Sequence, residues 1–448
     1  MSPDQLRNRF AIALQDMYRA EVPAYARLHD LVIENNEAWL REHGDARADD
    51  RAAVAAISAQ RHGAIRVGRG EELAWLARLF ALLGMEPVDF YDLVPAGLPV
   101  MSTAFRPTRP EAFEHNHFRM FCSLLRPELI ANADVRTRVE ALLGAREIFS
   151  PRLKTLIGDA ERAGGVDVER VDEFLGEALD VFRWRGQARV DQPTYAALAG
   201  EHKLIADVAA FGGPHINHLT PSALDIDRLQ AAMIERGFNA KAVVEGPPRR
   251  EVPILLRQTA CTAEAEAVRF EAVDGSVEQG SHTARFGEVE QRGAALTAAG
   301  RALYDRCLET ARQMAKDRPY AEALEEAFAD FPDDLPALVE ADLVYCRFAL
   351  SAEDQTVKFD TAQDRAQALR AGRLRAEPIR YEDFLPVSAA GIFRSNLGDA
   401  EDESYAAASS REDFERVLGR SLRQSQNIYA EQQAVSLRAI APAMADAG

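Results

Sequence analysis

The order of four segments in residues 60–106 constrains the fold of this 448-residue chain more than any other feature. The first, third and fourth segments have the composition of strands, whereas the second is apolar almost all round and carries acidic residues in its first turn. The segments are residues 61–67, 71–84, 88–93 and 100–105. Together they predict a compact module with the order β-α-β-β, whose helix is largely buried.

A second β-rich stretch follows at residues 240–293, with helical periodicity in most of the remaining chain. Its strand-like segments are residues 242–244, 254–256 and 268–273, and Asp274-Gly275 is typical of a hairpin turn. The helical blocks are residues 1–58, 126–210, 297–345 and 411–445. Two β-rich modules among helices predict an α+β fold, in which a mixed sheet or half-barrel carries helical insertions.

We interpret residues 1–448 as a single large domain built from consecutive parts. These parts are a first β-rich module (60–106), a mainly helical insertion (107–239), a second β-rich module (240–293) and a helical region (294–448).

The formal net charge of −18 restricts the possible partners. Nucleic acids and anionic membrane surfaces attract clustered Lys and Arg, so we expect neither as a partner. An anionic substrate stays possible because a local arginine can bind a carboxylate at short range. The four cysteines are widely spaced, which favours reduced thiols over a disulfide framework. No apolar leader follows the N-terminus, so we expect a cytoplasmic protein.

The first candidate site lies in the opening strand of the module. Side chains two positions apart on a strand share a face, so His62, Ala64 and Arg66 point the same way. A metal ligand and a guanidinium suited to binding a carboxylate would then face one cavity. The alternative is a surface strand whose His62 and Arg66 are simply solvated.

Two further segments carry candidate metal ligands. His215 and His218 lie between Pro214 and Pro221, in an irregular segment of the kind where functional groups collect. One histidine would bind metal while the other supports it, or both are ordinary loop residues.

In the strand after Phe286, alternation places Glu288, Glu290 and Arg292 on one face, where the charges need partners or a metal. A solvated edge strand is the alternative, and spacing does not choose between Glu288 and Glu290. Two imidazoles and one carboxylate would form a facial triad of the type that binds non-haem Fe(II).

Several segments together resemble one known family, the iron-dependent 2-oxoadipate dioxygenase/decarboxylases, over nearly the full length of the chain. They are RHGAIRVG (61–68), PHINHLTP (214–221), VVEGPP (243–248), SHTARFGEVEQRG (281–293) and EDFLPVSAAGIF (382–393). The resemblance implies a fold similar to the vicinal oxygen chelate superfamily, whose βαβββ modules curl around a metal.

The resemblance also implies residue roles. The metal ligands, which also contact substrate, fall on His62, His218 and Glu288. Arg66 would bind the substrate, and the main chain at Val387 would touch the bound 2-oxo acid. Beside them we expect four supporting residues: His215, His282, Glu290 and Ser388. We also expect residues 384–393 to close over the metal.

The implied reaction converts 2-oxoadipate and O₂ into D-2-hydroxyglutarate and CO₂ with Fe(II) as the cofactor, in lysine breakdown. Two alternatives remain at this stage. One is another divalent-metal enzyme of the same superfamily, such as a ring-cleaving dioxygenase, lyase or isomerase acting on a different carboxylated substrate. The other is a binding or structural protein with a vestigial site.

Overall fold

A computed structural model describes residues 1–271, 275–351, 359–385 and 410–441. Its strands are β1 (Gln60–Val67), β2 (Glu86–Asp92), β3 (Val100–Arg106), β4 (Arg119–Leu125), β5 (His218–Pro221), β6 (Leu256–Ala260), β7 (Glu266–Glu271), β8 (Val277–His282), β9 (Phe286–Arg292), β10 (Cys346–Leu350) and β11 (Leu374–Pro378).

The α-helices before β6 are α1 (Pro3–Glu21), α2 (Pro23–Glu42), α3 (Arg51–Ser58), α4 (Gly70–Leu82), α5 (Pro110–His115), α6 (Ala133–Gly144), α7 (Pro151–Ala163), α8 (Val171–Asp180), α9 (Gln192–Glu201), α10 (Lys203–Ala209) and α11 (Ile226–Glu235). Those after β9 are α12 (Ala298–Met314), α13 (Tyr320–Ala327), α14 (Leu335–Glu340), α15 (Ala362–Arg370), α16 (Arg411–Leu418) and α17 (Ser425–Ile440). Within the described residues, no helix combines the length and the apolar character needed to cross a membrane.

The β-α-β-β order predicted at residues 60–106 is present as β1, α4, β2 and β3, and β4 extends it to βαβββ. The sheet has the order β2-β3-β4-β1-β5-β9-β6 and is mixed: β1 runs parallel to β4 and antiparallel to β5, and β5 runs parallel to β9. The predicted mixed sheet with many helices is therefore confirmed. Both β4 and β5 lie inside residues 107–239, together with helices α5 to α11.

The described residues divide into two compact units, each made of separate stretches of the chain. The first takes its described residues from Met1–Lys241, Thr259–Val289 and Phe384–Arg423, and the second from Ala242–Gln258, Glu290–Asp383 and Gln424–Gly448.

In the first unit, alternate side chains of β1 enter different hydrophobic clusters. Ile65 and Val67 pack in a cluster with residues of α1, α4, α7 and α8, whereas Ala64 packs on the other face with residues of α6, α9 and α10. The second unit contains the antiparallel pair β10–β11, against which α17 packs.

The strand predicted at residues 242–244 is wrong. Among the described residues, two isolated bridges flank it instead, one between Ala240 and Cys261 and one between Glu245 and Gln258. Gly246 has a φ of 109°, and a Cβ there would lie 2.3 Å from Leu256 O, so the chain turns sharply beside its neighbour. Pro247 and Pro248 then offer no N–H groups to a ladder. The hairpin turn predicted at Asp274-Gly275 falls partly outside the described residues.

Gly293 offers a test of the packing in the second unit. A Cβ at this position would lie 2.1 Å from the carbonyl carbon of Pro253, which is backbone that cannot move aside easily. We expect Gly293→Ala to lower the free energy of unfolding by about 1–3 kcal/mol, as overpacking does.

The matched control is Gly176→Ala in α8, where a Cβ meets nothing within 4 Å. This change should raise stability by about 0.5–1 kcal/mol because alanine favours helix. Denaturant unfolding of both variants checks the pair, and equal stability of Gly293→Ala and the parent chain would contradict the packing described.

Candidate metal centre

Strand register places three candidate metal ligands on one face of the sheet. Ala64 of β1 pairs with His218 of β5, which in turn pairs with Phe286 of β9. Paired residues, and residues two positions apart on a strand, point to the same face. His62 therefore shares the face of Ala64, and Glu288 shares the face of Phe286.

The side chains of His62, His218 and Glu288 converge, with their ligand atoms all within 4.8 Å of one another. Glu288 Oε1 lies 3.2 Å from His62 Nε2 and 4.0 Å from His218 Nε2. The two imidazole rings are perpendicular, with centroids 5.4 Å apart. All three side chains are buried.

A threonine that the sequence analysis did not single out lies between these groups. Thr220 is two positions after His218, on the same face of β5, and is fully buried. Its hydroxyl donates to Glu288 Oε1 at 3.0 Å and lies 3.1 Å from His62 Nε2. Thr220 thus holds one carboxylate oxygen of Glu288.

The chemistry of this donor set fits a divalent metal ion. The other carboxylate oxygen, Glu288 Oε2, is buried and accepts no hydrogen bond from the described residues. A buried carboxylate oxygen is costly unless it meets a donor or a cation. Two imidazoles and a carboxylate on one side are the ligand set of non-haem sites that leave other positions open. His62, His218 and Glu288 are the residues that would hold the ion.

A buried tyrosine supports the strands that carry two of these residues. Tyr18 Oη lies 3.0 Å from the carbonyl oxygen of Asn217 and 2.9 Å from that of Phe286, the residues just before His218 and Gly287. Burial raises the pKa of Tyr18, so its hydroxyl stays protonated and can donate. This role was not predictable from the sequence because Tyr18 belongs to α1, far from both strands in the chain.

Arg66 follows His62 and Ala64 along the same face and binds a carboxylate of the chain itself. Its NH1 lies 2.5 Å from Asp207 Oδ2, and both side chains are almost completely buried. Asp207 is on α10, where no sequence pattern singled it out. The expected geometry, a guanidinium on the face of the histidine, is present, together with an acidic partner that was not foreseen.

His215 and His282 both contact Asp207 instead of the three converging ligands. Their Nε2 atoms lie 3.0 Å and 2.9 Å from Asp207 Oδ1. Tyr195 Oη lies 2.8 Å from His282 Nδ1, which extends the network outward. On its other side, His215 borders a cavity of about 640 Å³ that is also lined by Trp184 and Phe211.

Asp207, His215 and His282 form a second group with the composition of a metal site. Burial alone would raise the pKa of Asp207, but the neighbouring His215 and Arg66 hold it well below its usual range. Burial lowers the pKa of His215. Because an ionised carboxylate can only accept, His215 donates to it through Nε2–H. Because N–H donors already meet the carboxylate and a guanidinium is adjacent, the group is a hydrogen-bonded ion-pair network.

The three remaining candidates from the sequence are Glu290, Val387 and Ser388. Glu290 is buried and bound by Arg292, with Nε–Oε1 and NH2–Oε2 distances of 2.7 Å and 3.0 Å. Val387 and Ser388 lie outside the described residues, as does most of the segment 384–393. Its first residue, Phe384, is described, and its ring packs edge-on against His62 with centroids 4.8 Å apart.

Comparison with known proteins agrees with this geometry. The family model described as 2-oxoadipate dioxygenase/decarboxylase matches residues 10–396. The 2-oxoadipate dioxygenase/decarboxylase of Pseudomonas putida is 46% identical, over 99% of this chain and 98% of that protein. The Escherichia coli protein of the same name is 45% identical, over 98% of both. This chain belongs to the 2-oxoadipate dioxygenase/decarboxylase family.

Solved structures of a family member and of a more distant protein share the fold of this chain. The crystal structure of the Pseudomonas putida hydroxyglutarate synthase in complex with 2-oxoadipate superposes with a TM-score of 0.85 at 44% identity, covering 99% of both chains. A putative glyoxalase superfamily protein from Ralstonia eutropha shares the fold at 21% identity and a TM-score of 0.50, over 65% of this chain and 84% of that one. The predicted vicinal-oxygen-chelate-like fold is confirmed, and the chain is an enzyme of the 2-oxoadipate dioxygenase/decarboxylase family.

The contact of Thr220 with Glu288 generates a prediction about metal affinity. Thr220→Val removes the hydroxyl while keeping a similar shape, so Glu288 loses the group that orients its Oε1. Loss of such a supporting hydrogen bond typically weakens metal binding by about 10- to 100-fold. Titration of the metal-free protein with Fe(II) under argon measures the change.

Thr103→Val on β3 is the control for this measurement. The Thr103 hydroxyl is also buried, but it contacts the backbone carbonyl groups of Val88 and Asp89 at 3.1 Å and 2.8 Å. Metal affinity of this variant should match that of the parent chain. If Thr220→Val also matches the parent, Thr220 does not support a metal ligand.

Proposed function

We propose that this enzyme converts 2-oxoadipate and O₂ into D-2-hydroxyglutarate and CO₂, with Fe(II) held by His62, His218 and Glu288, as a step in lysine breakdown. One oxygen atom enters the new carboxylate and the other enters the hydroxyl group, so the equation balances without a second oxidisable substrate. Oxidative decarboxylation comes first, and hydroxylation of the carbon next to the new carboxylate follows.

The observation that carries the proposal is that His62, one residue of the candidate metal triad, and the buried Arg66 lie on one face of the same strand, β1. On that face they are separated only by Ala64. A six-carbon 2-oxo dicarboxylate needs a group for each end, and these two side chains supply them. Family membership, and the 2-oxoadipate bound by the Pseudomonas putida relative, support the same conclusion.

The metal, when bound, supplies the redox chemistry and polarises the 2-oxo acid. The chain supplies orientation. His62 and His218 would bind the metal through ring nitrogens. Thr220 orients the carboxylate of Glu288, which would be the third metal ligand.

At the other end of the substrate, Arg66 binds the distal carboxylate by charge-assisted hydrogen bonds. That contact sets how far the reacting carbons lie from His62 and His218. The rings of Phe384 and Phe286, each with its centroid 4.8 Å from that of a ligand histidine, exclude water from the triad. We further propose that the main chain at Val387, beside Ser388, contacts the bound 2-oxo acid, as the family resemblance implies.

Removing a triad residue should abolish both metal binding and turnover. We expect His218→Ala and Glu288→Gln, each loaded with Fe(II) under argon and then desalted, to retain little iron and to consume no O₂ with 2-oxoadipate. The parent chain should consume O₂ and release CO₂ in equal amounts. The exposed His43, replaced in His43→Ala, is the control and should behave like the parent chain.

The same assay separates the proposal from its alternatives. A lyase or isomerase would change its substrate without consuming O₂. If the triad variants retain iron and full activity, His218 and Glu288 are not the ligands.

Arg66 should determine the choice of substrate. A charge-assisted hydrogen bond contributes roughly 1.5–3 kcal/mol, so Arg66→Ala should lower kcat/KM for 2-oxoadipate by about 10- to 100-fold. Turnover of 2-oxohexanoate, which has the same length but a methyl end, should fall far less. Equal losses on both substrates, measured by O₂ uptake, would give Arg66 a structural role instead.

A further inference from the structure

We infer that Asp207 is the positioning residue that orients Arg66, and so fixes the preference of this enzyme for 2-oxo acids with a second carboxylate. The inference rests on the proposed function to the extent that Arg66 binds the distal carboxylate. It assigns to Asp207, His215 and His282 a role that the metal triad does not explain.

The first support is the number of donors that meet this one carboxylate. Asp207 Oδ2 lies 2.5 Å from Arg66 NH1 and 3.2 Å from Asn217 Nδ2. Asp207 Oδ1 lies 3.0 Å from His215 Nε2 and 2.9 Å from His282 Nε2. An ionised carboxylate has only acceptor sites, so four donors from different parts of the chain fix its orientation.

Because its carboxylate is shared with the two histidines, Asp207 competes less strongly with a substrate for the guanidinium of Arg66. An isolated Arg–Asp pair tends to form two parallel hydrogen bonds that occupy the guanidinium. Here Oδ1 is directed to the two histidines, so the contact with Arg66 runs through Oδ2. Arg66 is therefore held in one orientation by Oδ2, and the orientation of its planar fork defines the direction from which a second carboxylate is bound.

The two histidines are held in the donor role by their own surroundings. Asp207 Oδ1 can only accept, so His282 carries a proton on Nε2, the atom that faces it at 2.9 Å. With that proton on Nε2, the neutral ring accepts at Nδ1 from Tyr195 Oη at 2.8 Å, and burial raises the pKa of Tyr195 to about 12, so the phenol keeps the proton for this bond. A chain of donors thus runs from Tyr195 through His282 to Asp207 and meets Arg66 there.

The network also reaches the metal ligands through the backbone. Asn217, which donates to Asp207, immediately precedes His218. Its backbone N–H donates to Ala64 O at 3.0 Å, and its carbonyl accepts from Phe286 N–H at 3.1 Å. The distance between the carboxylate-binding end and the metal-binding end of the site is therefore set by one bonded framework.

Asp207→Asn tests the inference. Asparagine keeps the shape of aspartate but replaces one carboxylate oxygen with an NH₂ group. This NH₂ group would face either Arg66 or the two histidines, which are themselves donors, so a hydrogen bond is lost on that side. We expect the affinity ratio of 2-oxoadipate to 2-oxohexanoate to fall by about 10-fold or more, the scale of one lost charge-assisted contact. Calorimetry with the Fe(II)-loaded protein under argon measures binding without turnover.

Two comparisons separate positioning from a merely structural role. In an Arg66→Ala background, Asp207→Asn should change the affinity ratio by less than about 2-fold, because contacting residues are not additive. Asp4→Asn is the matched control, since Asp4 accepts from the fully buried Arg7 at 2.7 Å and contacts no member of this network. It should leave the ratio unchanged. An equal effect of Asp207→Asn in both backgrounds, or equal weakening of both acids, would overturn the inference.

A second variant covers the case in which Asp207→Asn does not fold. His282→Phe leaves Asp207 ionised and keeps a ring of similar shape but removes one donor from Oδ1, and it should lower the same ratio while the iron content stays that of the parent. An unchanged ratio would overturn the inference. If the parent chain prefers 2-oxoadipate but forms no D-2-hydroxyglutarate, the proposed function alone is contradicted. If the parent chain forms the product and the affinity ratio is unchanged in Asp207→Asn, the role of Asp207 alone is contradicted.

Discussion

The register between three neighbouring strands is the constraint on which the site depends. His62, His218 and Glu288 come from distant parts of the chain, and only the pairing of Ala64 with His218 and of His218 with Phe286 brings them together. A shift by one residue in β5 would turn His218 to the opposite face, because side chains alternate along a strand. Tyr18 is placed where it opposes such a shift, since its hydroxyl contacts the backbone carbonyl groups of Asn217, just before β5, and of Phe286 in β9.

Burial of charge is the second constraint, and it explains the composition of this face. An isolated buried ion is so costly that each charged group here needs a partner. Arg66 has Asp207 as its partner, and Thr220 binds one carboxylate oxygen of Glu288, beside His62 and His218. The other oxygen of Glu288 accepts no hydrogen bond from the described residues. Removing one partner from such a pair is far more costly than the pair contributes to stability. The network around Asp207 can therefore be essential without making the fold especially stable.

The sequence predicted those elements that are encoded locally. The β-α-β-β order was visible because α4 has acidic residues in its first turn and a glycine after its end, between strands of ordinary composition. The strand β4 was missed because Arg119–Leu125 is a short apolar run buried on both faces, whose periodicity does not distinguish strand from helix. The strand predicted at 242–244 was wrong because two prolines and a left-handed glycine decide the backbone there, and the valines do not.

For the site, strand alternation correctly placed His62 and Arg66 on one face, but the choice between His215 and His218, and between Glu288 and Glu290, came from the family resemblance. The structure shows why spacing could not make that choice. His215 and Glu290 are buried polar residues of the same type as the ligands, and they differ only in their partners, Asp207 and Arg292. Asp207 itself could not be found from the sequence, because an aspartate on a short helix has no pattern that reveals its partner.

The segment from α10 to β5 concentrates these tasks in a few residues. His215 and Asn217 bind Asp207. In the proposed site, Asp207 orients Arg66, and His218 is one of the three metal ligands. Because Pro214 and the glycines before it prevent a regular helix, the two histidines point to different partners although they are three residues apart. A short connection of this kind would give the proposed site a fixed length between its metal ligands and Arg66. Under the proposed function, selection of a substrate by length and charge then follows from the backbone of this one segment, so a change that moves Asp207 would also disturb the placement of His218.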